Sequence, residues 1–139
     1  MRKICGIELK GHEAILTVLE KQNDDSFAVK AIDKKKIALK DSENRECIKE
    51  FKKEINDFFD TNDISKVCIK KRSKKGDFAG GADTFKMEAI IQDSDVEDVI
   101  LISPQAISLY QKKNDADVPC ELNKYQHDAY LTALTGAKK

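Results

Sequence analysis

Between residues 43 and 60 the side chains Cys47, Ile48, Phe51, Ile55, Phe58 and Phe59 recur at helical spacing, with charged residues between them. That is the pattern of a helix burying one face. What flanks it constrains the fold. Before it, residues 3–9 and Ala14 to Leu19 read as two strands joined by a tight turn at Lys10-Gly11-His12. Asn23-Asp24-Asp25-Ser26 turns the chain into a third extended run, Phe27 to Ile32, and Ile37-Ala38-Leu39 is another short strand. After the helix, Lys66–Ile69 and Val99–Ile102 are short apolar runs. A helix set between strands of one sheet must cross its face. The order three strands, helix, strand, helix, strand, helix, helix therefore predicts a mixed sheet, antiparallel at first and then built by βα crossovers, with helices on both faces.

The later helices follow from the same reading. Phe78, Ala82, Phe85 and Ala89 fall on one face of a second helix ending near Gln92. Ser103-Pro104 opens a short helix with proline at its first position. Residues 114–119 form a polar loop, and a last helix is expected from about Glu121 to Thr135, stopped by Gly136. With 139 residues, no internal repeat and no low-complexity linker, residues 1–139 are expected to form a single domain.

Charge decides which partners are sensible. Charged residues make up 36% of the chain and the formal net charge is zero, so any affinity for a polyanion must be local. Five of the six residues from Lys70 to Lys75 are cationic, and they follow the strand Val67-Cys68-Ile69. The run leads through Gly76 to Gly80-Gly81 and into the second helix. Clustered cations delivered to a helix start suit an anion, because free N–H groups and the helix dipole favour phosphate there. No Gly-Lys-Ser/Thr follows, so this is not a Walker loop. Lys34–Lys36 and the acidic residues 93–98 read as ordinary exposed charge.

Cys5, Cys47, Cys68 and Cys120 make no CxxC pair. Cys5 and Cys68 sit in apolar runs and read as buried thiols of a cytoplasmic protein. There is no apolar run of membrane-spanning length and no signal-peptide core near Met1. Three tyrosines and six phenylalanines are mostly accounted for as core, which argues against a base-stacking single-strand binder.

In the first strand Ile4, Gly6 and Glu8 share one face, and Cys5, Ile7 and Leu9 the other. This strand, Cys5-Gly6-Ile7-Glu8-Leu9-Lys10-Gly11, resembles the Gly-Ile-Asp-Pro-Gly motif of RuvC-type Holliday-junction resolvases. Val67-Cys68-Ile69-Lys70 sits where those enzymes have an apolar strand ending in glutamate. Phe85-Lys86-Met87-Glu88-Ala89-Ile90-Ile91 sits on their following helix. Gln126-His127-Asp128-Ala129-Tyr130-Leu131-Thr132-Ala133 resembles their last helix, Asp-Ala-Xaa-Asp-Ala-Leu-Ala. The chain as a whole, including residues 76–81, also resembles a bacterial family known as a domain of unknown function. The fold implied is α/β: a ribonuclease H-like mixed five-stranded sheet with helices on both faces.

The resemblance also implies a chemistry. Resolvases of this type hold two Mg²⁺ ions with four carboxylates and hydrolyse phosphodiesters by in-line displacement. Carried over by position, Glu8 and Asp128 are the catalytic and metal-ligating candidates. The strand-end glutamate falls on Lys70, or on Lys71 if the strand end slips by one, and the other last-helix carboxylate falls on Tyr125. A lysine there offsets the charge that attracts Mg²⁺, so the metal could be lost. A one-metal site would need Glu88, or Glu121 two turns before Asp128, to point inward. His127 is expected to point about 100° away from Asp128 and to serve as a surface or packing residue. The expected nucleic-acid contacts are Lys10, Lys70, Lys71, Arg72, Lys74, Lys75, Gly80, Gly81 and Lys86.

The leading expectation is a nucleic-acid-binding protein, for DNA or RNA, of resolvase-like fold with a degenerate metal site. One alternative is an active Mg²⁺-dependent endonuclease with a rearranged carboxylate set. Another is a non-catalytic interaction module, with a homodimer pairing the basic run with residues 93–98 of a second copy.

Overall fold

The computed structural model describes residues 3–71, 81–114, 119 and 121–137. Strands β1 (Lys3–Lys10) and β2 (Glu13–Lys21) pair antiparallel from Lys3 opposite Glu20 to Lys10 opposite Glu13. Gly11, in the turn between them, has φ 62°. A two-residue hairpin needs a left-handed residue at that position, and glycine adopts it without a Cβ clash.

Strands β3 (Phe27–Lys30) and β4 (Lys36–Ala38) both pair with β2, one at each end of it. Among the described residues the sheet thus contains six segments but is five strands wide, in the order β3-β2-β1-β5-β6, with β4 sharing the β2 edge. Strands β5 (Ile64–Lys70) and β6 (Asp98–Ile102) extend it in parallel on the other side of β1.

Helix α1 (Arg45–Thr61) crosses between the antiparallel part and β5. Asn44 caps it, its side-chain oxygen accepting from the N–H groups of Glu46 and Cys47 at 2.9 and 3.1 Å. Phe51, Ile55, Phe58 and Phe59 are its buried stripe, as the periodicity predicts. Helix α2 (Ala82–Gln92) does not use its predicted face. It buries Thr84, Met87, Glu88 and Ile91, while Ala82, Phe85 and Ala89 are exposed. The two apolar faces of this short helix compete, and contact with the sheet selects Met87 and Ile91. Phe78 lies outside the described residues.

Helix α3 (Pro104–Asn114) starts at its proline, with Ser103 Oγ accepting from Ala106 N–H at 3.1 Å. The last helix departs from expectation at both ends. Lys124–Gln126 form a 3₁₀ turn, and α4 (His127–Ala137) follows and runs straight through Gly136. Gly136 is a packing glycine instead of a stop: a Cβ there would collide with Cys68 Sγ and lie 3.2 Å from Ile102 Cδ1.

The alternation in β1 sorts two cores. Cys5, Ile7 and Leu9 face α1 and α2, with Phe51, Ile55, Met87 and Ile91. Ile4 faces α3 and α4, with Ile107, Leu131, Ala133 and Leu134. Gly6 shares that second face, and α4 lies directly on it. A Cβ on Gly6 would overlap the Ala129 carbonyl oxygen and sit 2.7 Å from Ala133 Cβ. Burial pushes the Cys5 thiol far up, so it packs as a neutral apolar group.

Because the obstacle at Gly6 is backbone, which cannot swing aside, Gly6→Ala is expected to destabilise the fold by about 1–3 kcal/mol. Urea denaturation measures this as a lower midpoint at unchanged slope. A midpoint equal to that of the wild type would mean that α4 does not depend on this close approach.

Candidate functional site: a lysine between two carboxylates

Glu8 is the third residue on the Gly6 face of β1, so it emerges beside the start of α4. Lys70 ends the neighbouring strand β5, one step beyond the pair Ile7–Ile69. Asp128 stands in the first turn of α4. Three elements therefore deliver one side chain each to one end of the sheet. Lys70 Nζ lies 3.0 Å from Asp128 Oδ2 and 3.7 Å from Glu8 Oε2.

The start of α4 is held by a residue that the sequence reading did not single out. Gln126 is buried. Its Nε2 donates to Leu16 O at 2.9 Å and its Oε1 accepts from Asn123 N–H at 3.1 Å. Both ends of the amide are thereby used, which ties the turn before α4 to β2. A polar residue on a helix carries no sequence signal for such a role. Gly6 does carry one, since a glycine inside a strand marks a close approach.

The side chains of Glu8, Lys70 and Asp128 are 18, 27 and 49% exposed, so the carboxylates interact in a partly dry environment. Burial and then the charge of Asp128 push Glu8 above the usual carboxylate range, against the opposing pull of Lys70. Burial would also raise Asp128, but the hydrogen bond and charge of Lys70 outweigh it and hold that group low. Asp128 is therefore the ionised partner of Lys70, and Glu8 is the group that retains a proton more readily.

This donor set does not match the needs of two Mg²⁺ ions. Hard divalent cations take several oxygen ligands, and here an ammonium sits on two carboxylates. Among the described residues no three His, Cys, Asp or Glu side chains are placed so that they could hold a metal ion. Glu88 is on α2, in the layer across the sheet. Glu121 is not on α4 at all, so the spacing of two helical turns from Asp128 does not exist; it lies near Tyr130 instead. Tyr125 occupies the 3₁₀ turn, with Lys36 Nζ 4.3 Å from its ring centre.

Lys10 lies at the end of β1 and adds positive charge near both carboxylates. Lys71 is exposed, its N–H bonded to Ile102 O at 2.7 Å. Gly81 is the N-cap of α2. Lys86 is not brought to the site. It donates to Ser42 O at 2.6 Å from α2, in the opposite helix layer. Arg72, Lys74, Lys75 and Gly80 lie outside the described residues. An open cleft beside Glu8 and Asp128 is lined also by Lys10, His12, Lys36, Lys124, Tyr125 and His127. His127, expected to point away, thus shares a wall with Asp128.

The opposite shifts give opposite pH signatures. Glu8 binds a proton more tightly in the fold, so its ionisation costs stability as pH rises through its folded value; Asp128 contributes stability that is lost as pH falls through its own. Glu8→Gln is expected to match or exceed the wild-type melting temperature at pH 7, with the difference shrinking toward pH 4. Asp128→Asn is expected to lower it by a few degrees, about 1 kcal/mol or less for so exposed a pair, again converging in acid. Thermal melts across pH measure both. A large loss in Glu8→Gln at pH 7 would reverse the assignment of the proton.

The fold is similar to that of solved Holliday-junction resolvases. RuvC of Thermus thermophilus superimposes with a TM-score of 0.73 at 11% identity, over 97% of this chain and 93% of that one. The T. thermophilus RuvC in complex with Holliday junction substrate gives 0.69 at 10% identity, over 99% and 93%. The Fowlpox virus resolvase, in complex with substrate Holliday junction DNA, gives 0.55 at 13% identity, over 98% and 97%. At such identities the likeness is one of fold, which is ribonuclease H-like. No curated protein matches the sequence. The family described as protein of unknown function (DUF3010) matches residues 1–136, and the chain belongs to that family.

Proposed function

We propose that this protein binds DNA or RNA through the end of the sheet where β1 and β5 finish, without needing a divalent metal. The observation that carries this reading is the ammonium of Lys70 held between Glu8 and Asp128. A fixed cation offsets part of the carboxylate charge, so the surface repels phosphate less than a bare acidic pair would. The same charge disfavours a metal, and with it the hydrolytic chemistry that the fold hosts elsewhere. Fold likeness alone does not convey function; what supports nucleic acid as the ligand is the cationic run that begins at Lys70 and Lys71 on this fold. In this reading residues 1–139 act as one domain, and metal-dependent cleavage is weak or lost.

The test is fluorescence anisotropy with a four-way DNA junction, linear duplex, single strand and RNA–DNA hybrid, in EDTA and in Mg²⁺, at several salt concentrations. Salt-sensitive binding retained in EDTA, with no cleavage in Mg²⁺, is the expected result. Lys71→Glu combined with Lys74→Glu and Lys75→Glu should weaken binding and flatten the salt dependence by roughly one unit of slope for each phosphate no longer neutralised. Absence of binding to every probe at low salt would overturn the proposal. Mg²⁺-dependent cleavage that disappears in Glu8→Gln would overturn its metal-free part and favour a nuclease with a rearranged ligand set.

A further inference from the structure

We propose that the cleft beside the lysine–carboxylate cluster is a second backbone-phosphate subsite, formed by Lys10, Lys36 and Lys124. This inference rests on the nucleic-acid reading and extends it to residues outside the cationic run. The cleft lies between the β1–β2 hairpin, the start of β4 and the turn leading into α4, with a volume of about 710 Å³. Three structurally separate segments each bring a lysine to its wall, and all three lysines are exposed.

Their charge is only partly cancelled locally: with Lys70 included, four lysines face three carboxylates. The carboxylates in the wall are Glu8, Glu13 and Asp128. Lys70 already neutralises part of the Glu8–Asp128 pair from behind. Glu13 meets Lys36 at 3.8 Å, with both side chains well exposed, and an exposed pair of that kind is worth little and yields to a better partner. Lys36 is held in place by another means, its Nζ standing 4.3 Å from the Tyr125 ring centre. A cation over an aromatic face is attracted by the negative face of the ring. Tyr125 is itself steadied by Asn123 Nδ2, which donates to its hydroxyl at 3.2 Å. Tyr125 therefore acts as a positioning residue for Lys36.

The subsite is also in line with the rest of the proposed track. In the sheet order β2-β1-β5, the cleft lies on the β2 side of the cluster and Lys71 on the β5 side. Neighbouring strands are about 4.8 Å apart, so one polynucleotide backbone crossing the strand ends would meet Lys71, pass over Lys70 and continue into the cleft.

The experiment measures binding of a labelled single strand and a labelled duplex by the full chain across a salt series. The variants are Lys36→Glu with Lys124→Glu, the milder Lys36→Gln with Lys124→Gln, Tyr125→Phe, Tyr125→Ala, and Lys112→Glu with Lys113→Glu on α3 as a control. Melting curves report folding. The reversal pair is expected to weaken binding about tenfold or more at low salt and to lower the salt slope by about 1–2 units. The neutral pair should lower the slope with a smaller loss of affinity. Tyr125→Phe should keep most of the affinity, because it keeps the ring face and loses only the hydrogen bond from Asn123, and Tyr125→Ala should weaken binding more, at unchanged melting temperature. Wild-type affinity and slope in both lysine pairs, alongside weakened binding in the combined Lys71→Glu, Lys74→Glu and Lys75→Glu variant, would overturn the subsite and leave the nucleic-acid reading standing. No binding by the wild type would remove both.

Discussion

The arrangement depends on the closeness of α4 to β1. Helix and strand meet where β1 has no side chain, at Gly6, and again where α4 has none, at Gly136 against Cys68 and Ile102. Two glycines on opposite elements let the helix backbone approach the sheet more closely than side-chain packing permits. That distance places the first turn of α4 against the end of β1, and so places Asp128 beside Glu8. The buried Gln126 amide adds the second coordinate by tying the turn before α4 to Leu16 on β2.

Electrostatics then determines what the juxtaposition means. Two carboxylates brought together in a partly dry site must share a proton, bind a cation or receive an internal one. Here β5 supplies the internal cation. Lys70 lies nearer to Asp128 than to Glu8, and the asymmetry agrees with the opposite directions in which the two acids are shifted. An ammonium has one charge and donates hydrogen bonds. It cannot activate water or polarise a phosphoryl oxygen as a divalent ion does. The three charges therefore hold this end of the sheet in a fixed arrangement.

Much of the fold is legible in the linear pattern. The alternation in β1 assigns Ile4, Gly6 and Glu8 to one face, and the structure places Ile4 and Gly6 against the α3–α4 layer. The Phe51, Ile55, Phe58 and Phe59 stripe is buried as its spacing demands. Failures occur where local signals are balanced. Helix α2 has two comparable apolar faces, and packing selects the one that the pattern did not. Gly136 satisfies the rule for a helix stop equally well as a close-packing glycine, and only the position of Cys68 distinguishes the two. Lys86 follows a cationic segment in sequence but is carried to the other layer by α2.

By itself the sequence determined the alternation of strands and helices, the mixed sheet and the presence of Lys70 at a strand end, because periodicity and residue identity are local properties of the chain. Only the tertiary structure decided that Lys70 pairs with both Glu8 and Asp128, that Glu121 and Glu88 stay apart from them, and that Lys10, Lys36 and Lys124 share one cleft. Those outcomes depend on where separate elements end relative to one another, a quantity set by backbone approach at Gly6 and by the Gln126 hydrogen bonds, and written in no single segment.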